Sequence, residues 1–298
     1  MIEEIKKYGI HPIKYQKRGK ALIVETKDKK YVIKEKNRSD NKIYDYLESR
    51  SFNYYPTILS SYEDDYEITS FLEQIDMPNE QKILDLIDLV SLLHNKTTHY
   101  KEIDISDYKK IYEDINNNID YLYSYYTDII TLIETEVFLS PSSYLLACNI
   151  SKIYASLNFC KGELDKWYEL IKNETKQRVV VVHNNLELDH FIRNNKSYLI
   201  NWDKAKIDMP IFDIYKLYKK HNLDYDFNEI LKRYESNYKL KNHERLLLFI
   251  LISLPEKIEF DDNEYNMCVK ISNMIDYIYK TEKFLSPYYS KEAKQNQH

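Results

Sequence analysis

Residues 179–203 read VVVVHNNLELDHFIRNNKSYLINWD, and this stretch decides the fold. Four consecutive valines, residues 179–182, end in a histidine and a polar loop. A second short apolar run, residues 198–200, ends in the polar tripeptide Asn-Trp-Asp at 201–203. Short runs of β-branched and aromatic residues bounded by polar residues predict strands. Each predicted strand therefore delivers polar side chains at its carboxyl end, where binding and catalytic loops are commonly built.

The composition is that of a globular protein. The chain has 298 residues, of which 43% are hydrophobic and 31% charged, so it can bury a large core as one domain or two lobes. A net charge of -5 argues against a nucleic-acid partner held by overall electrostatic attraction. With only three glycines, the chain cannot build the glycine-rich loop on which many phosphate sites depend.

The spacing of the cysteines and the length of the apolar runs indicate the cellular compartment to expect. The three cysteines form no C-x-x-C pair, which disfavours a cysteine-based zinc site and favours a reducing compartment. The N-terminus lacks the apolar core of a signal peptide, and the apolar run 246–254 is too short to cross a bilayer. We therefore expect a cytoplasmic protein without a membrane span. The polar tail 291–298 is expected to fray.

Hydrophobic periodicity predicts an α+β protein with two lobes. Strands over 21–26, 31–34 and 66–72, with a helix over about 39–50, form a small antiparallel N-lobe over residues 1–75. Beyond it, apolar residues recur at helical spacing and predict a large, mainly helical C-lobe that contains a loop-bearing hairpin. The C-lobe spans 76–290, its hairpin spans 179–203, and its predicted helices include 105–137, 143–172, 211–219, 227–238, 243–252 and 264–284.

Phosphoryl transfer is the chemistry that such loops would serve. It needs a carboxylate near the attacking hydroxyl, oxygen ligands for Mg²⁺ and a lysine for the nucleotide phosphates. Lys34 ends a predicted strand, and the helix that follows holds Asp40 in its first turn. An acidic side chain there could pair with Lys34 and orient it. A surface lysine on an edge strand would give the same local pattern.

Several motifs in a defined order carry a family resemblance. They are the strand ending in Lys34, the hinge segment 70–73, the helix with Leu-Leu-His-Asn-Lys-Thr at 92–97, His183-x-Asn185, Asn201-Trp202-Asp203 and Pro210-x-x-Asp213. This order resembles the aminoglycoside phosphotransferase and choline kinase group over about residues 20–285. Within that group the chain is most similar to bacterial spore-coat proteins of the CotS type. The resemblance implies a two-lobed protein-kinase-like fold, ATP or GTP with Mg²⁺ in a cleft, and transfer to a small-molecule hydroxyl.

The catalytic loop departs from the family pattern H-G-D-L-x-x-x-N. Residues 183–190 read HNNLELDH, so Asn185 stands at the catalytic-aspartate position and His190 at the metal-binding asparagine position. His183 is expected to be a buried scaffold residue that binds loop backbone. Asp189, beside His190, is a substitute acidic residue.

The second loop departs from the pattern I-D-[FW]-[DE] in one place. Asn201 replaces the principal metal-binding aspartate, while Asp203 keeps the second acidic position, so the candidate metal ligands are Asn201, Asp203 and His190. Trp202 is expected to pack into the core. Asp213 matches the aspartate that braces the catalytic loop in the family.

The resemblance also places the nucleotide contacts. Lys34 matches the nucleotide lysine, Asp40 its acidic partner, and Gly19 the loop over the phosphates. Glu73 closes the hinge segment. ATP and Mg²⁺ are the implied cofactors, and a small molecule is the implied acceptor.

Loss of two aspartates leaves three interpretations open. Asparagine cannot accept a proton, and its neutral oxygen is a weaker ligand for a divalent cation than a carboxylate. The favoured interpretation is a degenerate kinase that acts by binding. The second is an active phosphotransferase that uses Asp203 and Asp189, and the third is a structural protein of a coat assembly with an unused cleft. The third would associate the protein with spores and with protein partners.

Overall fold

The structure, a computed structural model, describes residues 7–36, 41–61, 64–261 and 263–295. Two compact units divide the chain. The first unit comprises Met1–Thr98, Val179–Asp213 and Arg233–Tyr238; the second comprises His99–Arg178, Ile214–Lys232 and Lys239–His298. The elements below are those of the described residues.

A four-stranded antiparallel sheet opens the first unit, in the order β1-β2-β3-β4. Its strands are β1 (Lys14–Arg18), β2 (Ala21–Glu25), β3 (Lys30–Glu35) and β4 (Tyr66–Ser70), and helix α1 (Asn41–Ser49) lies between β3 and β4 in the chain. Gly19 lies in the two-residue turn between β1 and β2 with φ of 59°, a conformation that glycine adopts without a steric penalty.

Alternation along the strands gives this sheet two different faces. Val24, Ile33 and Ile68 are buried on one face and pack with Ile10, which comes from the segment before β1. Their neighbours in sequence, such as Ile23 and Val32, therefore point to the opposite face. That opposite face is available to line a site.

The remaining elements of the first unit carry the two polar loops. Helix α2 (Asn79–Thr97) is followed, after the second unit's insertion, by β6 (Lys176–Val182), β7 (Phe191–Arg193), β8 (Ser197–Leu199) and β9 (Lys206–Asp208). Strand β6 pairs antiparallel with β9, whereas β8 pairs antiparallel with β7. The expectation of one hairpin over 179–203 is therefore wrong, because the two strands that deliver the loops belong to different sheets.

The second unit is mainly helical. Two long helices, α3 (Ile105–Glu134) and α4 (Pro141–Ile171), start at Asp104 and Ser140, whose side chains accept hydrogen bonds from backbone N–H groups of the first turn. Helix α4 packs against α3, α7 and α8. The other elements of this part of the chain are β5 (His99–Glu102), α5 (Ile211–His221), α6 (Phe227–Asn237), α7 (Asn242–Ser253) and α8 (Glu264–Gln295), with the first residues of α5 and the end of α6 belonging to the first unit.

The predicted fold class is confirmed: a small antiparallel sheet with one helix precedes a largely helical remainder. The lobe boundaries at 75 and 290 stay predictions. Helix α8 continues to Gln295, and fraying of the tail from 291 stays a prediction. No helix among the described residues is both long and apolar enough to span a bilayer.

Candidate functional site

A cavity of about 770 Å³ lies in the first unit, against the sheet face that carries Ile23 and Val32. The hinge segment and the polar loops after β6 and β8 complete its lining. Of the residues singled out in the sequence, the cavity brings together Lys34, Asn185, Asp189, His190, Asn201, Trp202 and Asp203.

Asp213 holds the loop after β6. It is fully buried, and its carboxylate accepts hydrogen bonds from the backbone N–H groups of His183 at 2.8 Å and Asn184 at 2.7 Å. Two backbone donors at the start of the loop are thereby satisfied by one side chain. This fixes where the loop leaves the strand.

A buried relay supports Asp213 from behind. His94 Nε2 lies 3.2 Å from the Asp213 carboxylate, and His94 Nδ1 lies 2.6 Å from the Tyr234 hydroxyl. Tyr234 was not anticipated as part of the site. The signal in the sequence is weak, since a tyrosine on an amphipathic helix is most often an ordinary core residue.

The protonation of Asp213 follows from these contacts. Burial by itself would raise the pKa of the Asp213 carboxyl, but the hydrogen bond from His94, the charges nearby and the Asn184 N–H lower it overall. Asp213 is therefore an anion, which accepts hydrogen bonds with both oxygens.

His183 is a buried neutral residue. Its Nε2 donates to the Ile200 carbonyl at 2.9 Å, and its ring packs edge-on against Trp202 at 4.9 Å. Burial lowers the pKa of the His183 imidazole, with opposing contributions from Asp213 and the Ile200 carbonyl. His183 thus ties the end of β6 to the loop that follows β8.

Trp202 anchors that second loop. Its indole N–H donates to the Leu199 carbonyl at 2.9 Å, and Phe52 and Tyr44 pack edge-on against its ring. The side chain is 3% exposed. The loop is therefore held by a large apolar anchor with its one polar group satisfied.

The first two loop residues after His183 are neutral amides, Asn184 and Asn185. Asn185 lines the cavity, and its backbone carbonyl accepts a hydrogen bond from His190 Nδ1 at 2.7 Å. Asn184 has φ of 60°, which asparagine tolerates better than most residues. Its side chain donates to the Lys204 carbonyl at 2.9 Å.

Lys34 contacts Asn201 in the loop after β8. Its ammonium group donates a hydrogen bond to Asn201 Oδ1. Asp40, the expected partner of Lys34, lies outside the described residues. Because the amide is neutral, this contact brings no opposite charge to Lys34, whereas Glu67, its cross-strand partner on β4, places a carboxylate in the lining of the same cavity.

The oxygen donors present do not fit Mg²⁺. No group of three His, Cys, Asp or Glu side chains arranged to hold a metal occurs among the described residues. Asn201 Oδ1 accepts a hydrogen bond from the Lys34 ammonium group, and His190 Nδ1 donates one to the Asn185 carbonyl. Asp203 and Asp189 are exposed at the cavity rim. Mg²⁺ favours several oxygen ligands in octahedral geometry, and this set lacks a central carboxylate.

Two expected nucleotide-contact residues, Gly19 and Glu73, are not among the residues that line the cavity. Gly19 is absent from the cavity lining, although its neighbours Arg18 and Lys20 are part of it. The Glu73 carboxylate lies 3.6 Å from Lys30, and its carbonyl accepts from Asn194 at 2.9 Å. Direct nucleotide contacts of Gly19 and Glu73 stay predictions.

Comparison with solved structures identifies the fold. The chain matches an aminoglycoside phosphotransferase from Alicyclobacillus acidocaldarius with a TM-score of 0.69 and 9% identity, over 96% of this chain and 94% of that one. The chain has the fold of an aminoglycoside phosphotransferase. This is the predicted protein-kinase-like fold.

A second phosphotransferase gives the same result. The AMP-bound spectinomycin phosphotransferase matches with a TM-score of 0.54 and 13% identity, over 96% of this chain and 93% of that one. Its complex with ADP and spectinomycin matches with a TM-score of 0.51 and 14% identity, over 94% and 97%. No protein-family model and no curated protein matches the sequence. At these identities the phosphotransferase fold is shared, and the function must be argued from the site.

Proposed function

We propose that this phosphotransferase-fold protein binds a nucleotide in the 770 Å³ cavity and has weak or no Mg²⁺-dependent phosphoryl transfer. The observation that carries the proposal is the contact between Lys34 and Asn201. A cation for phosphate is kept there, while the carboxylate that would hold a metal is replaced by an amide. The protein would act by binding.

The cavity provides the contacts that a nucleotide needs. Arg18, Lys20 and Lys34 line it as cations for phosphate oxygens, and Ile23 and Val32 offer an apolar wall for a base. Both complexes of spectinomycin phosphotransferase contain an adenine nucleotide. We infer the same class of ligand here.

The hinge segment offers an edge for that base. Phe71 donates its backbone N–H to the Lys30 carbonyl at 3.0 Å, whereas the backbone of Leu72 takes part in none of the hydrogen bonds among the described residues. Leu72 lines the cavity. Its N–H and C=O are therefore available to a nucleobase, which presents both acceptors and donors.

A thermal-shift titration with ATP tests the proposal. We expect ATP to raise the unfolding midpoint equally with excess Mg²⁺ and with EDTA, because Lys34 and the other cations neutralise the phosphates. Ligand at 100 times its Kd would add about 2.7 kcal/mol to the free energy of unfolding. A shift that needs Mg²⁺ would contradict the loss of metal dependence, and no shift at all would favour the structural role in a coat assembly.

The Lys34→Met variant provides the matched control. It should lose most of the ATP-induced shift, because the charge at the cavity wall is gone. Lys27→Met removes an exposed lysine from the turn between β2 and β3 and should keep the shift. Equal shifts in both variants would show that ATP binds elsewhere.

An active phosphotransferase is the second candidate. It is favoured by Asp189 and Asp203, whose exposed carboxylates line the same cavity and could bind a metal brought in with ATP. The acceptor would be a small-molecule hydroxyl. On this proposal Asp203→Ala abolishes turnover of ATP, and turnover that survives this change would reject it.

A further inference from the structure

Charge is strongly segregated along this chain. Residues 111–151 contain six acidic residues and no lysine, arginine or histidine. Residues 10–36 contain nine lysines and arginines against three acidic residues. The two segments give one molecule an acidic surface, on which Asp120 is paired with Lys161, and a basic surface, and each carries exposed apolar side chains.

The acidic surface ends in an apolar tip where α3 connects to α4. Val137 is 88% exposed and Phe138 is 90% exposed, and the large apolar side chains of Leu132 and Tyr144 are exposed nearby in the chain. A single exposed apolar residue is ordinary, but a cluster of them at a helix connection is typical of an interaction site.

The charged side chains at this tip are acidic, so they favour a basic partner. Glu134 and Glu136 are exposed beside Val137. Helix α3 has no basic residue in its last turn, so the partial negative charge of its carboxyl end adds to that of Glu134. We call Leu132, Glu134, Glu136, Val137, Phe138 and Tyr144 the acidic tip.

The basic surface is the edge of the sheet. Within the described residues β1 is paired on one side only, by β2, and all five of its residues are exposed. Ile13 and Tyr15 are 65% and 66% exposed. Tyr15 and Lys17 pair across from Val24 and Leu22, so they lie on the sheet face opposite the cavity. Lys14 pairs across from Glu25, so its side chain lies on the other face of the same edge strand. We call Ile13, Lys14, Tyr15 and Lys17 the basic edge.

We propose that the acidic tip of one copy docks on the basic edge of a second copy. Val137 and Phe138 would cover Ile13 and Tyr15, while the glutamates of the tip face the lysines of the edge. Like charge opposes both tip-to-tip and edge-to-edge pairing, which leaves the unlike surfaces as the favoured contact. Because the two surfaces differ, the contact is heterologous and makes head-to-tail chains unless a ring closes.

This assembly is independent of the proposed nucleotide binding, since no residue of the tip or the edge lines the cavity. Sedimentation velocity on the full chain over a range of concentrations tests it. The wild-type protein should form a series of oligomers whose size increases with protein concentration and decreases at high salt. Salt screens the attraction between exposed charges, with a screening length of about 10 Å at 0.1 M that shortens as salt is added. A monomer at every concentration would overturn the proposal.

Complementary variants make the test specific. A tip variant with Val137→Ser and Phe138→Ser, and an edge variant with Ile13→Ser and Tyr15→Ser, should each be monomeric. Mixed together they should form one-to-one dimers and nothing larger, because each retains one working surface. Tyr279→Ser, which changes an exposed tyrosine on α8, should assemble like wild type. Failure of the mixture to dimerise would overturn the head-to-tail contact.

Charge reversal identifies the partner surface. Glu134→Lys with Glu136→Lys should weaken self-association by about tenfold or more, and so should Lys14→Glu with Lys17→Glu. Combining all four changes in one chain should restore assembly. If the variant with all four charge reversals stays dissociated, a second copy of the chain is not the partner of the acidic tip. The same follows if the acidic tip binds a basic peptide while the protein never self-associates.

Discussion

At Asn185 and Asn201 a single atom separates each side chain from the aspartate that the family resemblance leads one to expect there. An amide and a carboxylate have nearly the same shape, so the cavity should accept either, but only the carboxylate is an anionic ligand for a divalent cation. The chemistry of the cavity is therefore set by charge at two positions.

The double variant Asn185→Asp/Asn201→Asp tests this directly. We expect ATP affinity to become Mg²⁺-dependent, and ATP hydrolysis to increase, because the new carboxylates supply metal ligands and a proton acceptor. Isothermal titration with and without Mg²⁺ measures the change. Asn117→Asp/Asn118→Asp adds the same charge on the exposed face of α3 and should change nothing. If the site variant also shows no Mg²⁺ effect, the cavity is not a relic of a metal site.

His183 should make the free energy of unfolding depend on pH. Its pKa is lowered below the ordinary value of 6.5 by burial. The unfolded chain therefore binds the proton more readily, so the contribution of His183 to stability is fully present above pH 6.5 and declines as the pH falls toward its folded pKa. His243, whose pKa burial also lowers, contributes in the same direction.

Replacing His183 by glutamine should reduce this pH dependence, because the amide can donate to the Ile200 carbonyl without titrating. Chemical denaturation at several pH values below 6.5 measures the slope of the free energy of unfolding. His11→Gln, at an exposed position, should keep the wild-type slope. An unchanged slope in the His183 variant would show that the imidazole is not neutral in the folded protein.

At the scale of elements, Asp213 joins helix α5 to strand β6 and its loop. Asp213→Asn should destabilise the protein on the order of 3 kcal/mol, because an amide cannot accept from both backbone N–H groups and from His94. Denaturant unfolding measures the loss. Asp208→Asn removes an aspartate on β9 that pairs with exposed Lys206 and should cost less than about 1 kcal/mol. Equal losses of unfolding free energy in the two variants would mean that the buried hydrogen bonds of Asp213 stabilise the protein no more than the exposed ion pair of Asp208 does.

Helix α7 is tied to Arg178, in the first half of β6, by a second buried carboxylate. Arg178 Nε donates to Glu244 at 2.9 Å, and Glu244 also accepts from the Lys241 N–H at the start of α7. Glu244→Gln should destabilise the second unit by about 3 kcal/mol, because Arg178 is left without its charged partner. Asp120→Asn breaks the exposed pair with Lys161 and should cost less than about 1 kcal/mol, as unfolding by urea would show.

The helices were predictable because their information is local. Apolar spacing predicted α3 and α4 close to their observed bounds, and a polar cap residue marks the start of each. The strands β1, β5 and β9 were not predicted as strands. Each is short and largely polar, so its pairing depends on partners that no local pattern reveals.

At the scale of the whole molecule, some features of the candidate site were predictable from local sequence and others were not. Local motifs indicated that Asn185, Asn201 and Asp203 belong together, and the cavity contains all three. The contact of Lys34 with Asn201 and the relay from Tyr234 to Asp213 join residues far apart in the chain. Such contacts follow from packing, which a single sequence does not encode in any short stretch.

The backbone at Asn201 has a consequence for engineering this site. Its φ of 64° is a conformation that both asparagine and aspartate adopt more readily than most residues. The conformation would therefore accept an aspartate at this position as readily as the asparagine. If the proposed function holds, the loop can take up a carboxylate without a change of backbone, and the scaffold can serve as a host for installed catalysis.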